Sequence, residues 1–344
     1  MLKKIGIFIL IILIALGFYY RELLGYGLMQ AKGQAHILLN TKPITKVLKD
    51  SSFPDSLKTR LRLIAEIKRF AVDSLGLDSS GSYTQFYDQR GTPILWVLTA
   101  SEKYKLLAKE WSFPIIGTFS YKGYFDSTKA QTEEKLHIAE GYDTQLNEVS
   151  AWSTLGFLDD PVLSSMLYRG DGSLANLICH EMTHGTLFVK NNLKLNENLA
   201  SFVGDYGAVQ FLKNKYGANS DQLKRYYFQD KYRNAFGEHI LKGATELDSL
   251  YKSFEVQKLT NSLKDSLKKQ TIERIMNSTD TLLGGITRKY KRPQNKKLPN
   301  NAFFIGYLTY RSKQNEFKTE FEQKFKGNFS KYLMYLKQKY PTSF

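Results

Sequence analysis

Two histidines four residues apart, with a glutamate directly after the first, stand out in this chain: His180-Glu181-Met182-Thr183-His184. On an α-helix, positions i and i+4 share a face, so both imidazoles can reach one ion. Glu181 is turned off that axis and can address a water bound to the ion. The H-E-x-x-H pattern is a signature of metal-dependent peptide hydrolysis. A catalytic zinc takes three protein ligands and keeps one position open. The next acidic residue, Glu197, follows His184 by thirteen residues, enough for a second helix to fold back on the first. Asn191-Asn192 can end the motif helix, and Asn196 can cap the next one with Glu197 in its first turn. Glu197 is therefore the leading third ligand, with His239 and Asp205 as alternatives. Asp205 reads either as a partner of the site or as an exposed carboxylate. His36 and His137 read as structural or surface residues. The expected chemistry is one zinc ion per chain lowering the pKa of its water, with Glu181 as general base.

The elements that must position these groups follow from periodicity. Leu174, Leu177 and Ile178 form an apolar stripe that places the motif on a helix over Ser173–Lys190. Further helices are expected over Glu22–Leu39, Pro54–Leu75 with Ser52 as cap, Ser127–Ala139, Glu197–Lys215, Ser220–Phe236, Leu241–Met276 and Asn301–Arg311, with two more at the end. Short β-branched and aromatic runs at Tyr83–Tyr87, Pro93–Thr99, Ile115–Tyr121 and Thr144–Val149 read as strands. A small mixed sheet followed by many helices is an α+β pattern. The organisation expected is a leading segment, 1–22, and a catalytic domain, 23–344, with a mixed subregion, 23–195, and a helical one, 196–344.

Composition narrows the classes. With 344 residues and 14% aromatics the chain can bury a full core. Its single cysteine, Cys179, excludes an internal disulfide and, lying about 100° away from His180 on the helix, reads as core packing. The +16 net charge invites a nucleic-acid partner. However, the basic residues are spread along the chain, and the densest run, Arg288–Arg292 with Lys296-Lys297, lies in a Pro-containing linker without a nucleic-acid motif, so no nucleic-acid partner is expected. Ile5–Tyr20 is uncharged and mostly apolar between Lys3-Lys4 and Arg21-Glu22. It reads as an uncleaved membrane-anchoring helix or as a cleaved signal peptide. Either places the catalytic domain outside the cytoplasm, on the periplasmic face of the cytoplasmic membrane. Oligomeric state is not written in the sequence.

Several stretches together resemble the bacterial family of putative aminopeptidases. They are Gly27–Gln34, Gly117–Phe125, Ala151-Trp152-Ser153-Thr154-Leu155-Gly156-Phe157-Leu158-Asp159-Asp160-Pro161, the H-E-x-x-H, Asn196-Glu197 with Ala200–Val203, and Pro299-Asn300-Asn301-Ala302 with Tyr310. The resemblance spans roughly residues 25–340. It implies a zinc-dependent peptidase with Glu197 as third ligand, acting on peptides, in a zincin-like fold whose small sheet packs on the motif helix. Tyr310 becomes a candidate second oxyanion donor, and Trp152, Ser153 and Asn301 become candidate substrate contacts. The extended segment Val149–Phe157 can pair with substrate backbone or simply pack on the sheet. Asp159 or Asp160 can hold a free α-amino group, although Asp-Asp-Pro is also an ordinary turn. An endopeptidase, or a catalytically silent envelope scaffold that keeps the fold, would share these motifs. An intact Glu181 favours an enzyme. The chain departs from the family in lacking a lipoprotein cysteine near its start and in carrying Gly204 where some members have an acidic residue.

Overall fold

The computed structural model describes residues 2–113, 117–149, 159–282, 298–311 and 314–341. Trp152, Ser153, Ile115 and the basic run 288–297 lie outside the described residues. Two helices lead the chain, α1 (Leu2–Tyr19) and α2 (Arg21–Leu39). Among the described residues no helix is long and apolar enough to cross a membrane, so the expected anchor is unsupported. The physical shortfall is length: α1 opens on Lys3-Lys4, and sixteen apolar residues rise only about 24 Å against a hydrocarbon core of about 30 Å.

The mixed part runs β1 (Lys42–Pro43), α3 (Ile44–Lys49), α4 (Asp55–Asp73), β2 (Gln85–Tyr87), β3 (Trp96–Ser101), β4 (Trp111–Phe113), β5 (Gly117–Phe119), β6 (Lys122–Tyr124), α5 (Ser127–Ala139), β7 (Asp143–Glu148) and β8 (Val162–Leu163). The α+β class holds, but the single mixed sheet does not. Among the described residues there are three small sheets: β1-β2-β8 with one antiparallel and one parallel pairing, the antiparallel β6-β3-β7, and the β4-β5 hairpin. Gly91, at a φ of +74°, and Pro93 turn the chain between β2 and β3, so these strands join different sheets. Helix α4 starts after Pro54 without a side-chain cap, because the Ser52 hydroxyl is bonded to Asp50 instead.

The helical part runs α6 (Asp171–Thr186), α7 (Leu193–Tyr216), α8 (Asp221–Val256), α9 (Asn261–Asn277), α10 (Asn301–Arg311), α11 (Gln314–Phe325) and α12 (Phe329–Lys339). The break expected near residues 236–241 is absent. Gly237 is buried inside the continuous α8, and the chain breaks after Val256, where Thr260 caps α9. One core joins Ile64 and Ile67 of α4, Val162 and Leu163 of β8, Leu174 and Ile178 of α6 and Leu199 and Val203 of α7. The mixed sheet thus packs on the motif helix. A second core is built from Ile240 and Leu247 of α8, Ile272 of α9 and Phe304 of α10.

The start of α6 is clamped by Arg60 of α4. Its guanidinium donates to the carbonyls of Leu167 and Arg169 and pairs with Asp171, the first residue of α6. The Tyr216 hydroxyl, at the far end of α7, donates to the same carboxylate at 2.8 Å. Burial alone would raise the Asp171 carboxyl, but Arg60 and Tyr216 outweigh it and hold it below its usual 3.8. A carboxylate depressed in the folded state stabilises above its unfolded pKa and loses that contribution as pH falls through the folded value. Asp171→Asn should therefore cost about 2 kcal/mol at pH 7. Thermal melts of the two proteins should converge as pH falls below the ordinary carboxylate range, and a constant gap across pH would refute the assignment.

Candidate metal centre

His180 and His184 lie one turn apart on α6, with ring centroids separated by 5.0 Å. Glu197 reaches them from α7: its Oε2 is 3.4 Å from His180 Nε2 and 3.8 Å from His184 Nε2. These are the residues that the structure brings together, with one ligand atom from each all within 4.8 Å of one another. Tetrahedral zinc with bonds of about 2.1 Å places its ligand atoms roughly 3.4 Å apart, so the donor set and its spacing fit such an ion. The buried His184 Nδ1 has no hydrogen-bond partner among the described residues.

The local fold explains this meeting. Helix α6 ends at Thr186, several residues earlier than the apolar stripe suggested, and residues 187–192 turn the chain. Asn191 takes a left-handed φ of +61°, and its side-chain oxygen accepts from Thr118 of β5 at 3.1 Å. The cap of α7 is Asn192, whose side chain accepts from Leu195. Asn196, the expected cap, instead pairs with both the amide and the carbonyl of Val189 at 2.9 Å. Glu197 consequently sits in the second turn of α7, deeper than expected. Downstream, a Cβ on Gly204 would stand 2.8 Å from the Asn176 carbonyl and 3.3 Å from His180 Cβ, and one on Gly207 would stand 2.7 Å from Cys179 Sγ. The two helices can approach this closely only where those side chains are missing.

Burial sets the charges. It pushes His184 down to about 4, so this imidazole is neutral and able to ligate at neutral pH. Burial also opposes charge on His180, but the hydrogen bond to Glu197 and the charges of Glu181, Glu197 and Asp205 raise it above its ordinary value. For Glu197 burial raises the carboxyl, and the two imidazoles outweigh it and hold it low. Cys179, fully buried behind His180, is pushed up to about 12 by burial and stays a protonated packing residue.

Glu181 is half-buried on the same helix. Burial raises the phenols of Tyr83 and Tyr121, and the Glu181 charge adds to both; Glu197 adds to Tyr121 as well. Tyr83 also feels Asp160 and holds a left-handed φ of +63°, an uncommon conformation for a bulky residue. Neither phenol was singled out by the sequence, because each arrives from a distant strand region and only the fold carries it to the motif.

The remaining expectations divide. Asp160 is buried, its carbonyl accepts from the Tyr83 amide at 2.6 Å, and its charge acts on the ring that Glu181 also acts on. Asp159 is exposed and packs over Gly81 beside Lys68. Asn301 is buried in the second core region, where its side chain bonds the carbonyls of Glu102 and Lys103 and the Tyr251 hydroxyl. The structure therefore ties it to those groups and not to the ligand set. Tyr310 falls on α10, but its side chain is outside the described part. His239 Nε2 lies 2.7 Å from the Ile275 carbonyl and joins α8 to α9. His137 is buried against Glu133 and Glu140, and His36 is exposed beside Asn40. Asp205 is not a ligand but is half-buried, accepting from Asn176, Tyr226 and Arg233.

Residues 25–339 match the model of a family described as putative aminopeptidase. No curated protein and no solved structure matches the chain.

The centre predicts that the purified protein takes up one divalent ion per chain. His180→Ala or Glu197→Ala should each weaken uptake at least about 100-fold, because the remaining pair cannot complete the coordination. Uptake measured by calorimetry and elemental analysis checks this, and undiminished uptake by Glu197→Ala would remove Glu197 from the ligand set.

Proposed function

The chain belongs to the putative aminopeptidase family, and from that premise we propose that it is a zinc-dependent peptidase of zincin-like fold that removes residues from the free N-terminus of peptides. One observation carries the reading: His180, His184 and Glu197 converge on a single point, with Glu181 next in line on the same helix. Zinc held by these three residues would supply an activated water and polarise the scissile carbonyl.

The chain's own residues supply the rest. Glu181 accepts the proton from the attacking water and returns it to the leaving amine, so the proton count closes within one side chain. Tyr310 of α10, the donor that the family resemblance implies, donates its hydroxyl to the carbonyl oxygen as negative charge builds on it. Asp160 holds the substrate's α-ammonium. It is favoured over Asp159 because its charge reaches Tyr83 alongside that of Glu181, whereas Asp159 is directed at Gly81 and Lys68.

Glu181→Gln should retain the metal and lose at least about 1000-fold in kcat on amino-acid amides and short peptides. Turnover near the wild-type rate in a fully metallated Glu181→Gln protein would end the general-base assignment. Blocking the substrate's α-amino group by acetylation should lower kcat/KM about 100-fold, and cleavage indifferent to the block would make the enzyme an endopeptidase.

A further inference from the structure

A hollow of about 600 Å³ opens between α8, α10 and one face of β7. Two side chains connect its walls to the metal centre. Arg233, in the wall from α8, pairs with Asp205, whose charge acts on His180. Helix α10, the opposite wall, is bonded to α7 through Asn198, the neighbour of Glu197, whose side chain donates to the Thr309 carbonyl at 2.7 Å. The hollow is therefore bracketed by groups one step removed from two of the three ligands.

We propose that this hollow receives a bulky apolar or aromatic side chain of the substrate, an assignment that rests on the peptidase reading above. Its lining is a continuous run of rings. Tyr232 and Phe236 have centroids 6.0 Å apart, Phe236 and Tyr307 5.9 Å, and Tyr307 and Phe303 5.1 Å. Rings at these separations offer edges and faces to a further ring. The space between them is kept by Gly306, where a Cβ would meet nothing within 4 Å. On the sheet face, Gln145 and Asn147 alternate onto the same side of β7 and supply amides for a hydroxyl or a backbone group. Arg233, the one cation in the wall among the described residues, does not attract acidic side chains. The Arg233 guanidinium is held by both Asp205 and Asp230, leaving one net negative charge among the three.

The test compares peptide series differing at one position, with Phe or Ala, presented to the metal-loaded full chain. The wild type should favour Phe by at least about tenfold in kcat/KM, the scale at which apolar pockets discriminate. Gly306→Leu fills the hollow and should reduce the Phe-to-Ala ratio at least about tenfold. An unchanged ratio, or an equal loss on both peptides, would overturn the assignment. Should Gly306→Leu fail to fold, Phe303→Ala widens the same space and should raise the Trp-to-Phe ratio; no change there is equally fatal. Calorimetric binding of Phe-Ala-Ala and Ala-Phe-Ala against Ala-Ala-Ala to the Glu181→Gln protein separates this proposal from the catalytic one. Tighter binding of a Phe peptide that Gly306→Leu abolishes supports the hollow even if no peptide is cleaved, and equal binding refutes it.

Discussion

The site depends on how closely α6 and α7 can lie. Two ligands come from one helix and the third from the other, so their meeting is a consequence of helix separation before it is a consequence of side-chain choice. Gly204 sets that separation beside His180 itself, and Gly207 repeats it one turn on against Cys179. A side chain at either position would meet α6 at under 3 Å and press α7 outward. Glu197 would then leave the reach of both imidazoles, since coordination tolerates only a few tenths of an ångström. The short thiol of Cys179 suits the same constraint, because a larger residue there would press on Gly207.

Close packing has an electrostatic consequence. Glu197 is 5% exposed and Asn196 and Asn198 on either side are buried, so its carboxylate has little access to water. An isolated carboxylate in such a place would neutralise itself by taking up a proton. Two imidazoles prevent this, and the cost falls on His180, which is drawn towards its charged form. A divalent ion held by the three side chains would resolve the conflict by supplying two positive charges in place of that proton. The Asp205–Arg233 pair adds a further layer. Asp205 acts on His180, and its own carboxylate is held by Arg233, Tyr226 and Asn176, so the influence on the imidazole is fixed in place.

Much of this centre was legible in the sequence, for reasons that separate local from distant information. The i, i+4 histidines, the off-axis Glu181 and the following acidic helix lie within eighteen residues; helix periodicity sets the relation of the first three, and the short connection brings Glu197 back within reach. The exchange of roles between Asn192 and Asn196 was not legible. Both are good caps, and the choice is made by Val189, whose backbone Asn196 satisfies. The continuity of α8 was misread because its aromatic first half and its charged second half look like two elements, while Gly237 alone is too weak a breaker to end a helix packed on both sides. Arg60 is the extreme case. It contacts residues more than a hundred positions away, and nothing local marks it among 49 lysines and arginines. Tyr121 and Tyr83 were hidden in the same way among 22 tyrosines.

The division into two cores gives the arrangement its functional logic. The candidate ligands stand on α6 and α7, whose packing belongs to the first core, whereas the ring-lined hollow stands on α10 and on α8, whose Ile240 and Leu247 pack in the second core while its Leu223 and Tyr226 join the first. A metal site needs rigid geometry, and glycine contacts and the Arg60 clamp would hold these three side chains in place. Side-chain recognition tolerates more adjustment, because an apolar pocket discriminates by volume and not by hydrogen-bond direction. The polar joints between them are Asn198 to Thr309, Asp205 to Arg233, and Tyr226 of α8, which bonds both Asn176 and Asp205. A change in the rings of the second core can therefore alter which residue is accommodated without moving a ligand. A change at any of these junctions would instead shift the hollow relative to Glu181, so that a well-bound side chain presents its peptide bond to the wrong place. For the proposed peptidase, the junctions, more than the rings, would hold binding and catalysis in register.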